Sequence, residues 1–315
     1  MKNTRRDFIK KALIATGGVS LAPRWISKLA QGNADFDFQI SLAQWSLNQH
    51  FFSGKLDNLD FPATAKNQFD IEAVEYVNQF FPDKAEDTRY LSELKKRADD
   101  QGVSNVLIMV DNEGPLAAPE QSERMQAVEN HYKWVDAAKF LGCHSIRVNL
   151  FGAREEETWT SAAIDGLGRL AEYGMDNEIG VIVENHGGFS SNAAMLVHVL
   201  EQIDNEWAGT LPDFGNFCIE REDGEMWGSP CVKEYDIYQG VREMMPWAKG
   251  VSAKSFDFDD DGNETTIDFR KMLSIVKDSG FTGTIGVEYE GSNLPPEEGI
   301  QATKLLLEKI RSELS

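Results

Sequence analysis

Short apolar runs recur along the chain at intervals of roughly 30 to 40 residues, each about one strand long. They are "FQISLAQW" near residue 40, "IEAVEYV" near 74, "SNVLIMV" near 107 and "SIRVNLF" near 147. "GVIVEN" near 182, "AGTLPDFG" near 211, "KGVSAKS" near 252 and "GTIGVEYE" near 286 complete the set. The runs are close to continuously apolar, as in parallel strands buried on both faces. The intervening segments carry a helical period instead. "EDTRYLSELKKRADDQG" places Tyr90, Leu91 and Leu94 on one face and stops at Gly102. "SERMQAVENHYKWVDAAKFLG" does the same with Met125, Val128, Tyr132, Val135 and Phe140, and stops at Gly142. "TSAAIDGLGRLAEYGMDNEIG", "NAAMLVHVLEQI", "DIYQGVREMMPWA", "DFRKMLSIVKDSG" and "PEEGIQATKLLLEKIRSEL" follow. Glycine after the last periodic residue is the expected helix stop. Strand–helix units repeated in this way predict one α/β domain, a (β/α)8 TIM barrel. A doubly wound open sheet would carry a glycine-rich phosphate turn after its first strand. "SLAQWSLNQHFF" has none.

In such a barrel the reactive groups gather at the carboxyl ends of the strands. The polar residues fall there. Strand two carries Glu75, strand three ends at Asp111, and strand four offers Arg147 and Asn149. In "VIVENHGG" three β-branched residues run into Glu184, Asn185 and His186. Strand six ends in Asp213 with Asn216 three residues on, strand seven in Ser252 and Lys254, and strand eight in Glu288 and Glu290. Residues two apart share a face, so Glu184 pairs with His186 and Ser252 with Lys254. Trp45, after the first strand, is a sugar-stacking wall or plain core. Glu184, Asp213 and Glu288 converging on one mouth would repel, by roughly 4 kcal/mol per pair about 4 Å apart at an effective dielectric of 20. A divalent cation resolves this, and oxygen-rich donors suit Mn²⁺, Mg²⁺, Co²⁺ or Zn²⁺. The alternatives are that one acid holds a proton or that Lys254 neutralises part of the cluster.

The amino terminus does not continue the barrel pattern. "NTRRDFIKKALIATGGVSLAP" joins Arg5 and Arg6 to Phe8, Lys10 and a weakly apolar stretch. This is the twin-arginine export pattern. It predicts a signal over residues 1–34, cleavage after Ala34, and a barrel over 35–315 in the periplasm or beyond. The whole chain has 31 basic and 52 acidic residues, a formal −21. Removing seven basic residues and one acid with the signal leaves 24 against 51, or −27. That balance excludes nucleic acid and anionic membrane as partners, since both need basic surface. No apolar run approaches the roughly 20 residues of a membrane span. Three cysteines fit no zinc or haem spacing. Cys143 in "FLGCHSIRV" reads as packing, and Cys218 and Cys231 are free thiols or a bridge made in an oxidising compartment.

On "VIVENHGG", "LPDFGNF", "IGVEYEG" and Glu75, the chain from about Phe38 to Leu314 resembles the xylose isomerase-like TIM barrels. These are sugar (phosphate) isomerases and epimerases, with inosose dehydratases and endonuclease IV-type proteins among their relatives. The resemblance implies one divalent metal on Glu184, Asp213 and Glu288. It implies Glu184 and Glu288 as the acid/base pair that moves a proton beside a carbonyl, with Lys254 and His186 polarising the carbonyl or binding hydroxyls. Trp45, Glu75, Asn149, Asn216 and Glu290 are then substrate contacts. The family's usual strand-seven histidine is Ser252, and a histidine often found three residues after the strand-six aspartate is Asn216. The metal is thus held by three carboxylates with water, His186 or Asn216, or the site works without one through Lys254. A multi-zinc nuclease is excluded by the missing histidines and the charge. The expected activity is isomerisation or epimerisation of a non-phosphorylated sugar or sugar derivative. β-Elimination from a 3-keto-glycoside shares the same enolate step. A carbohydrate-binding barrel without catalysis is the reading from another class.

Overall fold

A computed structural model describes residues 36–315, and the segment read as an export signal, 1–34, lies outside the described residues. Eight parallel strands form one curled sheet: β1 (Gln39–Ala43), β2 (Ala73–Val77), β3 (Ser104–Val110), β4 (Ser145–Val148), β5 (Gly180–Glu184), β6 (Ala208–Leu211), β7 (Val251–Ser255) and β8 (Thr284–Tyr289). Sequential strands are neighbours from β1 to β6, and β8 lies between β1 and β7. Beside a single helical turn at Asn48–Phe52, the helices that alternate with them are α1 (Phe61–Phe69), α2 (Thr88–Gln101), α3 (Gln121–Leu141), α4 (Glu156–Asn177), α5 (Ala193–Ile203), α6 (Ile237–Met244), α7 (Phe269–Asp278) and α8 (Pro296–Leu314). All eight expected strands are present, and the (β/α)8 barrel is the fold.

The seam between β6 and β7 is irregular. β6 ends at Leu211 because Pro212 has no N–H to give to a neighbour. Closure rests on the bridges Thr210–Ala248 and Asp213–Ser252. The Lys249 N–H donates to the Thr210 carbonyl (3.1 Å) and the Ser252 N–H to the Pro212 carbonyl (2.9 Å).

Strand alternation sorts the side chains into two layers. Val181 and Val183, Ile146 and Val148, Val251 and Ala253, and Ile285 and Val287 face outward into the main core beneath the helices. Ile182, Leu107, Met109 and Leu211 face inward and plug the barrel. The same alternation turns Arg147, Glu184, Lys254 and Glu288 inward, above that plug.

Two details depart from expectation. The fourth helix ends at Asn177, with Glu178 in the left-handed conformation (φ 61°), and Gly180 opens β5 instead of stopping the helix. A two-stranded antiparallel hairpin, Cys218–Arg221 with Cys231–Glu234, sits between β6 and α6 and is closed by a Cys218–Cys231 disulfide. Cys143 is a buried free thiol, as its packing role requires.

Candidate active site

The ends of β5, β6 and β8 bring Glu184, Asp213 and Glu288 together. One carboxylate oxygen from each lies within 4.8 Å of the other two, and all three residues are buried. Burial raises the pKa of each, and repulsion from neighbouring acids adds to it at Glu184 and Glu288. Glu184 is pushed up to about 8 by burial and by Glu288 and Asp213, against the opposing pull of Arg147. Asp213 and Glu288 are raised chiefly by burial, against Lys254.

Ser252 is built into this cluster. Its hydroxyl oxygen is 2.7 Å from Asp213 Oδ2 and 2.6 Å from Glu288 Oε2. A hydroxyl has one proton, so it donates to one acid while the other acid faces its lone pairs. The Gly215 and Asn216 N–H groups donate to Asp213 Oδ1 (2.8 and 2.7 Å). Asn216 Nδ2 donates to Glu184 Oε1 at 2.9 Å. Asn185, the middle residue of "ENH", locks the β5 and β6 ends together. It accepts from the Asp213 N–H (2.8 Å) and donates to the Asp213 and Asn216 carbonyls.

Two buried cations flank the acids. Lys254 Nζ lies 3.4 Å from Glu290, 3.8 Å from Glu288 and 3.9 Å from Asp213. Burial opposes its charge, but these carboxylates prevail and hold its pKa well above the usual lysine range. Arg147 bonds Asp111 (2.8 Å), and its Nε lies 3.0 Å from Glu184 Oε2. The Nε–H points off that oxygen, so the contact is an ion pair and not a hydrogen bond. Burial would raise Asp111, yet Arg147 holds it well below the usual carboxylate range.

A relay runs from Asp111 to His186. Asn149 Nδ2 donates to Asp111 Oδ1 at 2.6 Å, which leaves Asn149 Oδ1 as an acceptor 2.7 Å from His186 Nδ1. Nδ1 therefore carries the proton, and Nε2 offers a lone pair. Burial, then Arg147 and Lys254, lower the His186 pKa well below normal, so the ring is neutral.

Above these groups opens a cavity of about 920 Å³. Trp45, Asn149, His186, Asn216, Lys254, Glu288 and Glu290 all line it. Trp45 is a wall residue, edge-on to Phe52 and stacked on Phe80 at centroid distances of 6.1 and 6.2 Å. Glu75 requires correction as a substrate contact. It is fully buried on the inner layer, bonded to Ser41 Oγ, with Oε2 unpartnered, and it does not line the cavity. Burial pushes its pKa up to about 7. Gly286 makes room for it, because a Cβ there would sit 2.7 Å from Glu75 Oε1. His186 is not gathered with the three acids as a ligand; its ring turns to Asn149 and to Trp227, 4.7 Å away between centroids.

The sequence reading gave no role to Asp111, Arg147 or Ser252, although each was visible as a polar strand-end residue. Trp227 was missed entirely. Its signal was the turn "REDGEMWGSP" between two cysteines.

The chemistry of the donor set decides whether it suits a divalent cation. Three inward acids face two cations already shared with Asp111 and Glu290, and burial disfavours their ionisation. A hard cation bound by carboxylate oxygens supplies the missing positive charge, so the residues fit one. Ser252 contributes at most a neutral oxygen where an imidazole would bind more tightly.

The description "Xylose isomerase-like TIM barrel" matches residues 64–310, and the chain belongs to this family. Among solved structures, the IolI protein with a bound zinc atom shares 13% identity at a TM-score of 0.64, covering 88% of this chain and 99% of that one. D-psicose 3-epimerase with D-tagatose, from Clostridium cellulolyticum H10, gives 12% and 0.63, covering 87% and 99%. The Escherichia coli 3-keto-D-glucoside 4-epimerase gives 12% and 0.59, covering 87% and 100%. At such identities these likenesses establish the fold. A local match is closer in sequence. The C-glycoside deglycosidase alpha subunit of Arthrobacter globiformis is 37% identical over 49 residues, 16% of this chain and 13% of that protein.

Proposed function

We propose that the protein is an exported sugar isomerase or epimerase that acts on a non-phosphorylated sugar or sugar derivative by metal-assisted proton abstraction beside a carbonyl. The observation that carries this reading is the convergence of Glu184, Asp213 and Glu288 within 4.8 Å of one another, with Glu288 also lining the cavity. Glu184, Asp213 and Glu288 would hold a divalent cation, which supplies Lewis acidity toward a carbonyl oxygen. Glu184 and Glu288 stand on β5 and β8, on different sides of the barrel mouth. One takes the proton from carbon and the other returns it, the two-base arrangement an epimerisation requires. Lys254, held cationic, donates to a substrate oxygen. His186 Nε2 accepts from a hydroxyl, with its tautomer set by Asn149. Trp45 offers a ring face, and Asn149, Asn216 and Glu290 offer hydrogen bonds. Among the described residues that line the cavity a phosphate finds no free cation, because Arg147 and Lys254 are committed to carboxylates and Asp111, Glu113, Glu288 and Glu290 line it too.

Export is supported by the twin arginines and by the surface disulfide, which belongs in an oxidising compartment. A second reading, β-elimination from a 3-keto-glycoside, draws on the local match to the C-glycoside deglycosidase subunit and needs the same enolate step.

The test is metal content together with isotope exchange. The mature domain is purified without chelator beside Glu184→Ala, and candidate sugars and 3-keto-glycosides are incubated in D₂O. About one divalent ion per chain, lost in the variant, with deuterium entering a substrate C–H, supports the reading. Exchange in protein that binds none of Mn²⁺, Co²⁺ or Zn²⁺ leaves a metal-free lyase built on Lys254. Sugar binding without exchange would make the barrel a binding protein and overturn the enzymatic reading.

A further inference from the structure

The cavity reaches well beyond the acid cluster. Glu184, Asp213 and Glu288 stand at the ends of β5, β6 and β8. The loop after β3 walls the cavity elsewhere, two strands along from β5 and three from β8. Val110, Asn112, Gly114 and Pro115 line that side, and with them His131 from α3. His131 is only 2% exposed, and the surface it keeps belongs to the cavity.

Its own helix fixes the ring. The Ala127 carbonyl, one turn back, can only accept, so the 2.7 Å contact puts the proton on Nδ1. Nε2 is then an acceptor with a bare lone pair, on the ring edge turned away from that carbonyl. Among the described residues no side chain or backbone group donates to it. The neighbours that carry donors are engaged elsewhere. Trp134 gives its indole N–H to Glu113 Oε1 (2.6 Å) and Lys133 Nζ donates to Glu113 Oε2 (3.0 Å). Asn130 Nδ2 donates to the Glu113 carbonyl (3.0 Å). Val110 and Pro115 have no side-chain donor to offer. Gly114 holds this loop against α3, because its φ is 102° and a Cβ there would sit 3.0 Å from Ala127 Cβ.

A buried acceptor that lacks a protein donor is a cost that a ligand donor removes. Burial lowers the pKa of His131, so the ring stays neutral and its lone pair stays free. Gln79, which lines the cavity after β2, is set in a similar way. Its amide nitrogen goes to Asp111 Oδ2 (2.9 Å), which turns Oε1 away from that acid. Both groups call for an O–H donor. A sugar hydroxyl fits, whereas an ether, a carbonyl or a methylene leaves Nε2 unpaired.

We propose that His131 is a specificity-determining residue, whose Nε2 accepts from a free hydroxyl of the substrate on the side remote from Glu184, Asp213 and Glu288. The substrate class narrows to polyhydroxylated molecules with a free hydroxyl at that end, and molecules deoxygenated or etherified there are rejected. The proposal rests on the sugar reading of the cavity and adds to it a group outside the acid cluster.

Calorimetry and one resonance test it. D-tagatose, D-psicose, D-glucose and methyl β-D-glucopyranoside are titrated into the mature protein with Mg²⁺ present. The tightest binder is carried forward with its monodeoxy and mono-O-methyl analogues. The same titrations follow in His131→Asn, which can keep the bond to Ala127 but has no atom at the Nε2 position, and in His131→Gln, which can return an acceptor there. Circular dichroism reports that each variant is folded. In protein labelled with nitrogen-15 histidine, the His131 signals among the five histidines are assigned by their loss in either variant. The expected result is that the Nε2 resonance moves on sugar addition and saturates with the calorimetric Kd. His131→Asn should weaken binding about tenfold and His131→Gln should recover most of it. One monodeoxy analogue should lose as much in the wild type and lose nothing further in His131→Asn. Should His131→Asn fail to fold, the resonance and the analogues decide on the wild type alone. A sugar that binds without moving the Nε2 resonance, or that binds His131→Asn as tightly as the wild type, would overturn the proposal and leave the sugar reading standing. If none of the sugars binds, both fall.

Discussion

Ser252 and Glu75 are the residues whose surroundings say most about their chemistry. Ser252 points into the acid cluster, with its hydroxyl within hydrogen-bond reach of two acids. Ser252→His should place a nitrogen donor among Glu184, Asp213 and Glu288 and tighten zinc binding by about tenfold or more. Competition against a chromophoric chelator measures this, and an unchanged affinity would mean that the position does not face the ion. Glu75 is a buried acid with one unpartnered oxygen and a pKa raised from 4.5 to about 7. The fold therefore favours its neutral form. That stability is fully present below about pH 4.5 and is lost as pH rises through about 7, at a cost of up to about 3 kcal/mol in alkaline solution. Glu75→Gln should raise the urea midpoint at pH 8 and leave it nearly unchanged at pH 4.5. A variant less stable than wild type at pH 8 would show that the native carboxylate is ionised and paired.

At the level of elements, the disulfide-closed hairpin is the part of the site that can be perturbed apart from the barrel. Cys218→Ser with Cys231→Ser should expose residues 222–230 to proteolysis and weaken substrate binding severalfold through Trp227. The thermal midpoint of the barrel should hardly move, because the hairpin lies outside the main sheet. A collapse of that midpoint would make the hairpin part of the folding core. The hairpin also marks where the sequence stops being legible. All eight barrel strands were visible because a strand buried on both faces must be apolar throughout, and the inward acids stood out against that background. Cys218–Arg221 and Cys231–Glu234 are only four residues each, mixed in polarity, one half-buried and the other exposed, so they carry no such signal. The direction of Glu75 could be read from alternation, but not its depth. Depth depends on strand stagger and on the space left by Gly286, which is a property of the closed barrel. In the same way Asp111, Arg147 and Asn149 were each visible at strand ends, whereas their linkage to His186 depends on how β3, β4 and β5 sit side by side.

On the scale of the molecule, the proposed export in the folded state would leave the disulfide, which lies at the periphery, to form afterwards. Arg5→Lys with Arg6→Lys should retain the protein in the cytoplasm, which cell fractionation measures; unchanged export would point to another route. The barrel is fastened unevenly. Seven of its joints are strand ladders, one of them shifted in register between Val74 and Glu75, and the eighth, at Pro212, rests on two isolated bridges. Glu184 and Asp213 lie on one side of that joint, and Ser252, Lys254 and Glu288 on the other. Anything that draws those carboxylates together spans the gap from both banks. Occupancy of the site would then act as a rivet, so that loading the acid cluster and tightening the hoop of strands become one event.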